Sequence, residues 1–123
     1  MTIRISKSAT AEIAHFLPGH PNVRNRLVHG HSLIVTVTAE GERQADSQRG
    51  MVQDFGIFGR QVEAVVGCLD HACLNEVFPD IEPPTIENIA EWVALRMIEA
   101  GGPRIVSVKV DRPTCRESAE WLP

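Results

Sequence analysis

The chain has 123 residues, which fits one domain over residues 1–123 and leaves no room for a second core. Its 43% hydrophobic and 23% charged residues are ordinary for a soluble globular protein, and the net charge of −4 argues against the basic face that nucleic-acid binding needs. No apolar run is long enough to cross a membrane and the first residues lack a signal-peptide core, so a cytoplasmic protein is expected.

In chain order, residues 3–15 read as extended, closing at His15. Phe16 to Pro21 is loop, set by Pro18, Gly19 and Pro21. His29-Gly30-His31 then opens an alternating run in which Leu33, Val35 and Val37 share one face. This second strand is expected over residues 31–40. Residues 41–50 are polar and turn-like, and Met51-Val52 reads as a short return strand. Phe55, Phe58, Val62, Val65, Val66 and Leu69 recur at helical spacing, predicting a helix over residues 55–69 capped by Asp54. Pro79, Pro83 and Pro84 make a rigid connector. Thr85 is expected to cap a second helix over residues 86–100, which Gly101-Gly102-Pro103 stops. Residues 105–110 alternate again, and the tail to Trp121 adds a short fourth strand. The expected fold class is α+β, in the order β-β-α-α-β-β. So small a sheet has open edges, which argues for pairing between copies.

Residues two apart on a strand point to the same side, so His29 and His31 aim two imidazoles at one point. His15 is placed to add a third from a neighbouring strand. Three neutral imidazoles with one open position are the ligand set of a catalytic zinc site. The bland alternative is a turn with two surface histidines. Asp70-His71 sits where the first helix ends, and a carboxylate beside a histidine can fix its tautomer and raise its basicity. Its alternative is a helix C-terminus with a dipole-favoured histidine. Thr85 and Glu87 are explained by helix capping unless they face a pocket, and Asp111 is by default a solvated strand end. Cys68, Cys73 and Cys115 read as reduced thiols, the first two as buried small apolar groups, and Trp92 and Trp121 as packing.

Ala14-His15-Phe16-Leu17, His29-Gly30-His31, Gly50 to Phe55, Leu69-Asp70-His71 through Leu74-Asn75, and Pro84 to Ala90 occur in one order across most of the chain. In these elements the sequence resembles the 6-pyruvoyl-tetrahydropterin and 6-carboxy-tetrahydropterin synthase family, the tunnelling-fold pterin lyases. The resemblance implies an antiparallel sheet with two helices on one face. It also implies trimers that close their strands into a barrel, and a hexamer of two stacked trimers. It implies zinc on His15, His29 and His31, and an active site between subunits that takes a dihydropterin side chain. Asp70 and His71 are the implied catalytic pair. Thr85, Glu87 and a carboxylate near the chain end, Asp111 or Glu117, are the implied substrate contacts.

The sequence departs from the family pattern in two places. The family cysteine that acts as base lies four residues before the first histidine of HGH, and Asn25 stands there. The family Glu-Thr after the third strand is replaced by Asp111-Arg112-Pro113-Thr114. The metal pattern is therefore intact and the proton-abstraction pattern broken. The expectation is a zinc-dependent lyase of altered or weak activity on a dihydropterin side chain. The alternatives are a non-catalytic zinc- and pterin-binding homologue, and a scaffold whose histidines only hold the hexamer together.

Overall fold

The computed structural model describes residues 1–46 and 49–123. Two long strands carry the rest. Strand β1, Ile3–His15, and strand β2, His29–Gly41, have 13 residues each and pair antiparallel along their whole length. Alternation sorts their side chains. Ile5, Ala11, Ile13, Leu33, Val35, Val37 and Ala39 are buried on one face. The opposite face is polar and held by its own contacts: Ser8 to Thr36 at 2.8 Å, Ser32 to Glu12 at 2.7 Å, and Glu40 between Arg4 and Arg104 at 3.3 and 2.6 Å.

Two helices cover the apolar face. Helix α1, Phe55–Gly67, buries Phe58, Val62 and Val66. Between it and the next long helix lie strand β3, Ala72–Cys73, and the one-turn helix α2, Leu74–Val77. Helix α3, Ile86–Ala100, buries Ile86, Ile89, Ala90, Trp92, Val93, Ala94 and Met97. Both long helices start on the expected caps: the Asp54 carboxylate accepts from Ile57 N–H at 3.0 Å and the Thr85 hydroxyl from Asn88 N–H at 3.2 Å. Gly101, at φ 81°, ends α3 in a conformation that a side chain would strain. Strands β4, Arg104–Arg112, and β5, Glu117–Trp121, complete a sheet ordered β3-β1-β2-β4-β5. β3 pairs parallel to β1 and the other neighbours are antiparallel.

The α+β class and the order of long elements are as expected, and the differences are local. β2 begins at His29, so both histidines of HGH lie inside the ladder. α1 stops at Gly67 because the next amides bond three residues back, Leu69 to Val66 and Asp70 to Gly67. Leu69 keeps the helical face buried without belonging to the helix. Met51 and Val52 form no return strand: the Gln44 amide bonds the Met51 carbonyl at 2.8 Å, and the bridge runs from Gln44 to Arg49. Within the turn-like stretch, Ser47 and Gln48 lie outside the described residues. Cys68 and Cys115 are exposed and Cys73 half-buried, so the expected burial of Cys68 does not hold. Trp92 and Trp121 do pack, the former against Phe78 at 5.1 Å between ring centres.

Thr85 starts α3 and also follows the residue that contacts the histidine cluster described below. Thr85→Ala should cost about 1 kcal/mol, measured by urea unfolding, while Thr85→Ser, which still caps, should cost less. Equal losses would show that the hydroxyl does not cap.

Candidate metal centre and its surroundings

The ladder register creates the centre. His15 is the last residue of β1 and lies directly opposite His29, the first of β2. His31 stands two residues on, on the same face. All three belong to the apolar face, at its end, where the core gives way to imidazoles. His15 Nε2 and His29 Nε2 are 3.0 Å apart, and the ring centres lie 4.6, 5.1 and 4.9 Å from one another. One nitrogen from each ring falls within 4.8 Å of the other two.

The backbone sets where the protons sit. His15 Nδ1 is 2.7 Å from the Pro84 carbonyl and His29 Nδ1 is 2.7 Å from the Leu27 carbonyl. A carbonyl only accepts, so each Nδ1 donates, and in the neutral ring Nε2 is left as a lone pair. Two lone pairs facing each other at 3.0 Å repel unless a proton or a cation lies between them. The third nitrogen, His31 Nε2, is buried without a hydrogen-bond partner among the described residues. Burial, opposed only in part by the bond to Pro84, holds His15 below its ordinary pKa. Burial first, then the charges of His15, Arg112 and His29, push His31 down to about 4. Burial therefore favours the neutral form of His15 and His31, the form that ligates a metal. Three converging imidazole nitrogens suit a borderline-soft divalent ion such as zinc.

Neighbours outside the ligand set hold the rings in place. Asn75 clasps the backbone just after His15: its amide oxygen accepts from Phe16 N–H at 2.9 Å and its Nδ2 donates to the Phe16 carbonyl at 2.8 Å. Pro84 orients His15 through its carbonyl. Neither role is visible in a sequence, because one acts through backbone and the other across a sequence separation of 59.

Asp70 and His71 form a pair at the sheet edge. His71 adopts φ 59°, which turns its ring back to place Nδ1 2.9 Å from Asp70 Oδ2. Asp70 Oδ1 accepts from Glu12 N–H at 2.8 Å, and His71 N–H donates to the Glu12 carbonyl at 2.6 Å. The Glu12 amide, and then His71, hold the Asp70 carboxyl below its usual range. The His71 side chain is 81% exposed. Among the described residues no hydrogen bond, ion pair or ring contact joins this pair to the three histidines.

The remaining predicted residues divide by face. Arg112 lies on the apolar face of β4, and its Nη2 is 2.6 Å from Glu117 Oε1. Its charge depresses both His15 and His31, and Glu117 acts on His31 in the opposite sense. Glu117 is thus brought to the centre. Asp111 points to the other face, with Lys109 Nζ at 3.9 Å. Glu87 is exposed in the first turn of α3. Asn25 sits in a short 3-10 turn, Val23–Arg26; its carbonyl accepts from Leu17 N–H at 2.7 Å and its Nδ2 lies 3.4 Å from His20 Nδ1.

The depressed histidines give a pH dependence of defined sign. Between about 4 and the ordinary 6.5, an unfolded chain takes up protons that the folded one refuses. In metal-free protein this contribution to stability is complete above about pH 6.5 and is lost as pH falls toward about 4. Urea midpoints near pH 7 and near pH 5 should differ, and His31→Gln should shrink the difference. An undiminished difference in that variant would assign the effect to other groups.

Over 121 residues the chain is 38% identical to a 6-carboxy-5,6,7,8-tetrahydropterin synthase of Synechocystis, covering 96% of this chain and 92% of that protein. It is 39% identical over 70 residues to a dihydroneopterin monophosphate aldolase of Pyrococcus furiosus, covering 57% and 55% respectively. The fold is similar to that of Caenorhabditis elegans 6-pyruvoyl tetrahydropterin synthase, with a TM-score of 0.83 at 17% identity over all of this chain and 96% of the other. The family model described as 6-pyruvoyl tetrahydropterin synthase matches residues 4–122. With nearly the whole chain matched and a relative of similar length at 38% identity, the chain belongs to the 6-pyruvoyl tetrahydropterin synthase family.

Proposed function

We propose that this protein is a zinc-dependent lyase acting on the side chain of a phosphorylated dihydropterin. The observation that carries the reading is the convergence of three imidazole nitrogens, one of them buried without a partner among the described residues. His15, His29 and His31 would hold the ion. Zinc bound there supplies Lewis acidity toward the oxygens of the substrate side chain and so acidifies the adjacent C–H and O–H bonds.

The chain's own residues supply the rest. Pro84 and Asn75 keep the ligating rings oriented, as outer partners of a metal site do. Asp70 fixes the tautomer of His71: its carboxylate accepts a hydrogen bond from Nδ1–H and leaves Nε2 free to accept a proton. Because this pair is exposed at a sheet edge, we assign it to the active site of a neighbouring copy in a hexamer built from two trimers. Glu117 and Asp111 are the candidate acids for the pterin edge, with Glu117 on the face of the histidines. Thr85 and Glu87, which follow Pro84 at the start of α3, are the further candidate substrate contacts. A carboxamide cannot act as a base at neutral pH, so Asn25 leaves proton abstraction to His71. The chemistry that best suits a weaker base is aldol cleavage of the side chain, which the name of the Pyrococcus relative describes for that protein.

The second reading, a non-catalytic protein that binds zinc and a pterin, is favoured by Asn25 alone. Turnover of dihydroneopterin phosphates separates the two.

Native mass spectrometry should find six chains and one zinc per chain. Alanine at His15, His29 or His31 should strip the metal, since a site of three ligands cannot spare one. A zinc-free monomer that added zinc does not change would sink the proposal. Asn25→Cys should raise turnover of dihydroneopterin triphosphate, by at most the 10²–10⁴-fold typical of a general base, and His71→Ala on that background should lower it again. No gain at all, with zinc and pterin still bound, would favour the binding-protein reading.

A further inference from the structure

His20 is the one histidine of the five that this scheme leaves without a task. It lies in the connection between β1 and β2, residues 16–28, which closes the hairpin at the end where His15 faces His29. That connection is stitched across its base and fixed beside both histidines. The Leu17 amide bonds the Asn25 carbonyl at 2.7 Å, Asn75 clasps Phe16 beside His15, and the Leu27 carbonyl accepts from His29. Inside it His20 is held on three sides. Its N–H donates to the Leu17 carbonyl at 3.2 Å, its carbonyl accepts from Arg26 Nε at 2.7 Å, and its ring Nδ1 lies 2.9 Å from the Asn22 amide. A backbone amide only donates, so Nδ1 is the acceptor and the proton of the ring stands on Nε2. Among the described residues only the Asn25 side-chain nitrogen, at 3.5 Å, lies near that Nε2–H, and it too is a donor. Turned the other way, the amide would set its oxygen 3.4 Å from the Nδ1 lone pair. The connection itself carries no carboxylate side chain.

Asn25 stands where the family places its base, so this position holds two hydrogen-bond donors in place of a proton acceptor. Donors suit a step in which negative charge arrives on the ligand. We infer that His20, with Asn25 beside it, is a catalytic hydrogen-bond donor whose Nε2–H serves the dihydropterin ring nitrogen that takes up the electron pair of the broken bond. This rests on the pterin-lyase reading and names what stands in for the missing base. In aldol cleavage the side-chain hydroxyl gives its proton to His71 Nε2, its O–H pair becomes the C=O of the leaving aldehyde, and the C–C bond breaks. The pair of that bond moves through the carbon beside the ring onto the nitrogen of the adjoining C=N bond. That carbon then takes the proton held by His71, so no oxidant, reductant or further reactant is needed. A donor fixed by backbone stabilises such a charge without changing its own protonation state.

Equilibrium binding of two unreactive ligands to the zinc-loaded protein tests the contact without turnover. They are neopterin and its 5-deaza analogue, which has C–H in place of that ring nitrogen. The native protein should bind neopterin about 10-fold more tightly. His20→Ala should erase the preference, and His20→Gln, which offers a side-chain N–H but cannot take up a proton, should keep part of it. Cleavage of dihydroneopterin monophosphate should follow the same order. In the alanine variant kcat should fall on the order of 10²-fold with KM little changed, and glutamine should recover part of it. Zinc content should stay at the native level in both variants, whereas a loss acting through the fold would lower it. Equal native binding of the two ligands overturns the inference and leaves the pterin reading standing. A glutamine variant as poor as alanine, with zinc retained, also overturns it, since His20 then acts through its basicity. A preference without any cleavage overturns the catalytic role together with the lyase reading. If neither ligand binds, the inference and the pterin reading both fall.

Discussion

The pairing of β1 with β2 is the constraint on which the rest of the molecule depends. Thirteen residues of each strand run in unbroken register from Ile3 opposite Gly41 to His15 opposite His29. A slip of one residue would turn a whole strand over, sending Leu33, Val35 and Val37 to the polar face and the histidines with them. The core and the histidine cluster are therefore specified by one alternation. The hydrophobic burial that fixes the register also fixes the convergence of the imidazoles, and no separate device is needed to bring His15 to His29.

That arrangement explains why the site is electrostatically unusual. Imidazoles at the end of an apolar face lose solvation, and burial is the largest cause holding His15 and His31 in the neutral form. The bonds from His15 and His29 to backbone carbonyls then turn both Nε2 lone pairs inward. The donor set is built in advance, at the cost of facing lone pairs, as expected where a protein keeps local strain at a functional position.

The sequence made much of this legible, for physical reasons that differ between elements. Periodicity located α3 with its residue boundaries and both caps, because Thr85 and Asp54 act within three residues of themselves. The histidine cluster was readable because strand alternation is a strict period of two. What escaped was short or non-local. β3 has two residues and carries no periodicity, and its parallel pairing with Ile13 and Ala14 depends on the turned backbone at His71. Asn75 lies in the one-turn helix α2, yet its side chain serves the backbone beside His15. Arg112 looks like an ordinary charge at a strand end. Only the β2–β4 register places it on the face of the histidines while its neighbour Asp111 turns away.

The bond between His15 and the Pro84 carbonyl couples the end of β1 to the residues just before α3. Pro84 immediately precedes the cap of α3, and the carbonyl of Pro83 accepts from the Asn88 side chain one turn into that helix. A cation on the Nε2 side of an imidazole withdraws electron density from the ring and makes Nδ1–H a stronger donor. Were the proposed ion bound, occupancy at the centre would tighten the start of α3, and by reciprocity a substitution that loosens that turn would weaken the hold on the cation. The helix beginning would in this sense be an energetic reporter of the proposed ion, readable by amide exchange at Asn88 and Ile89, whose N–H groups bond to Thr85.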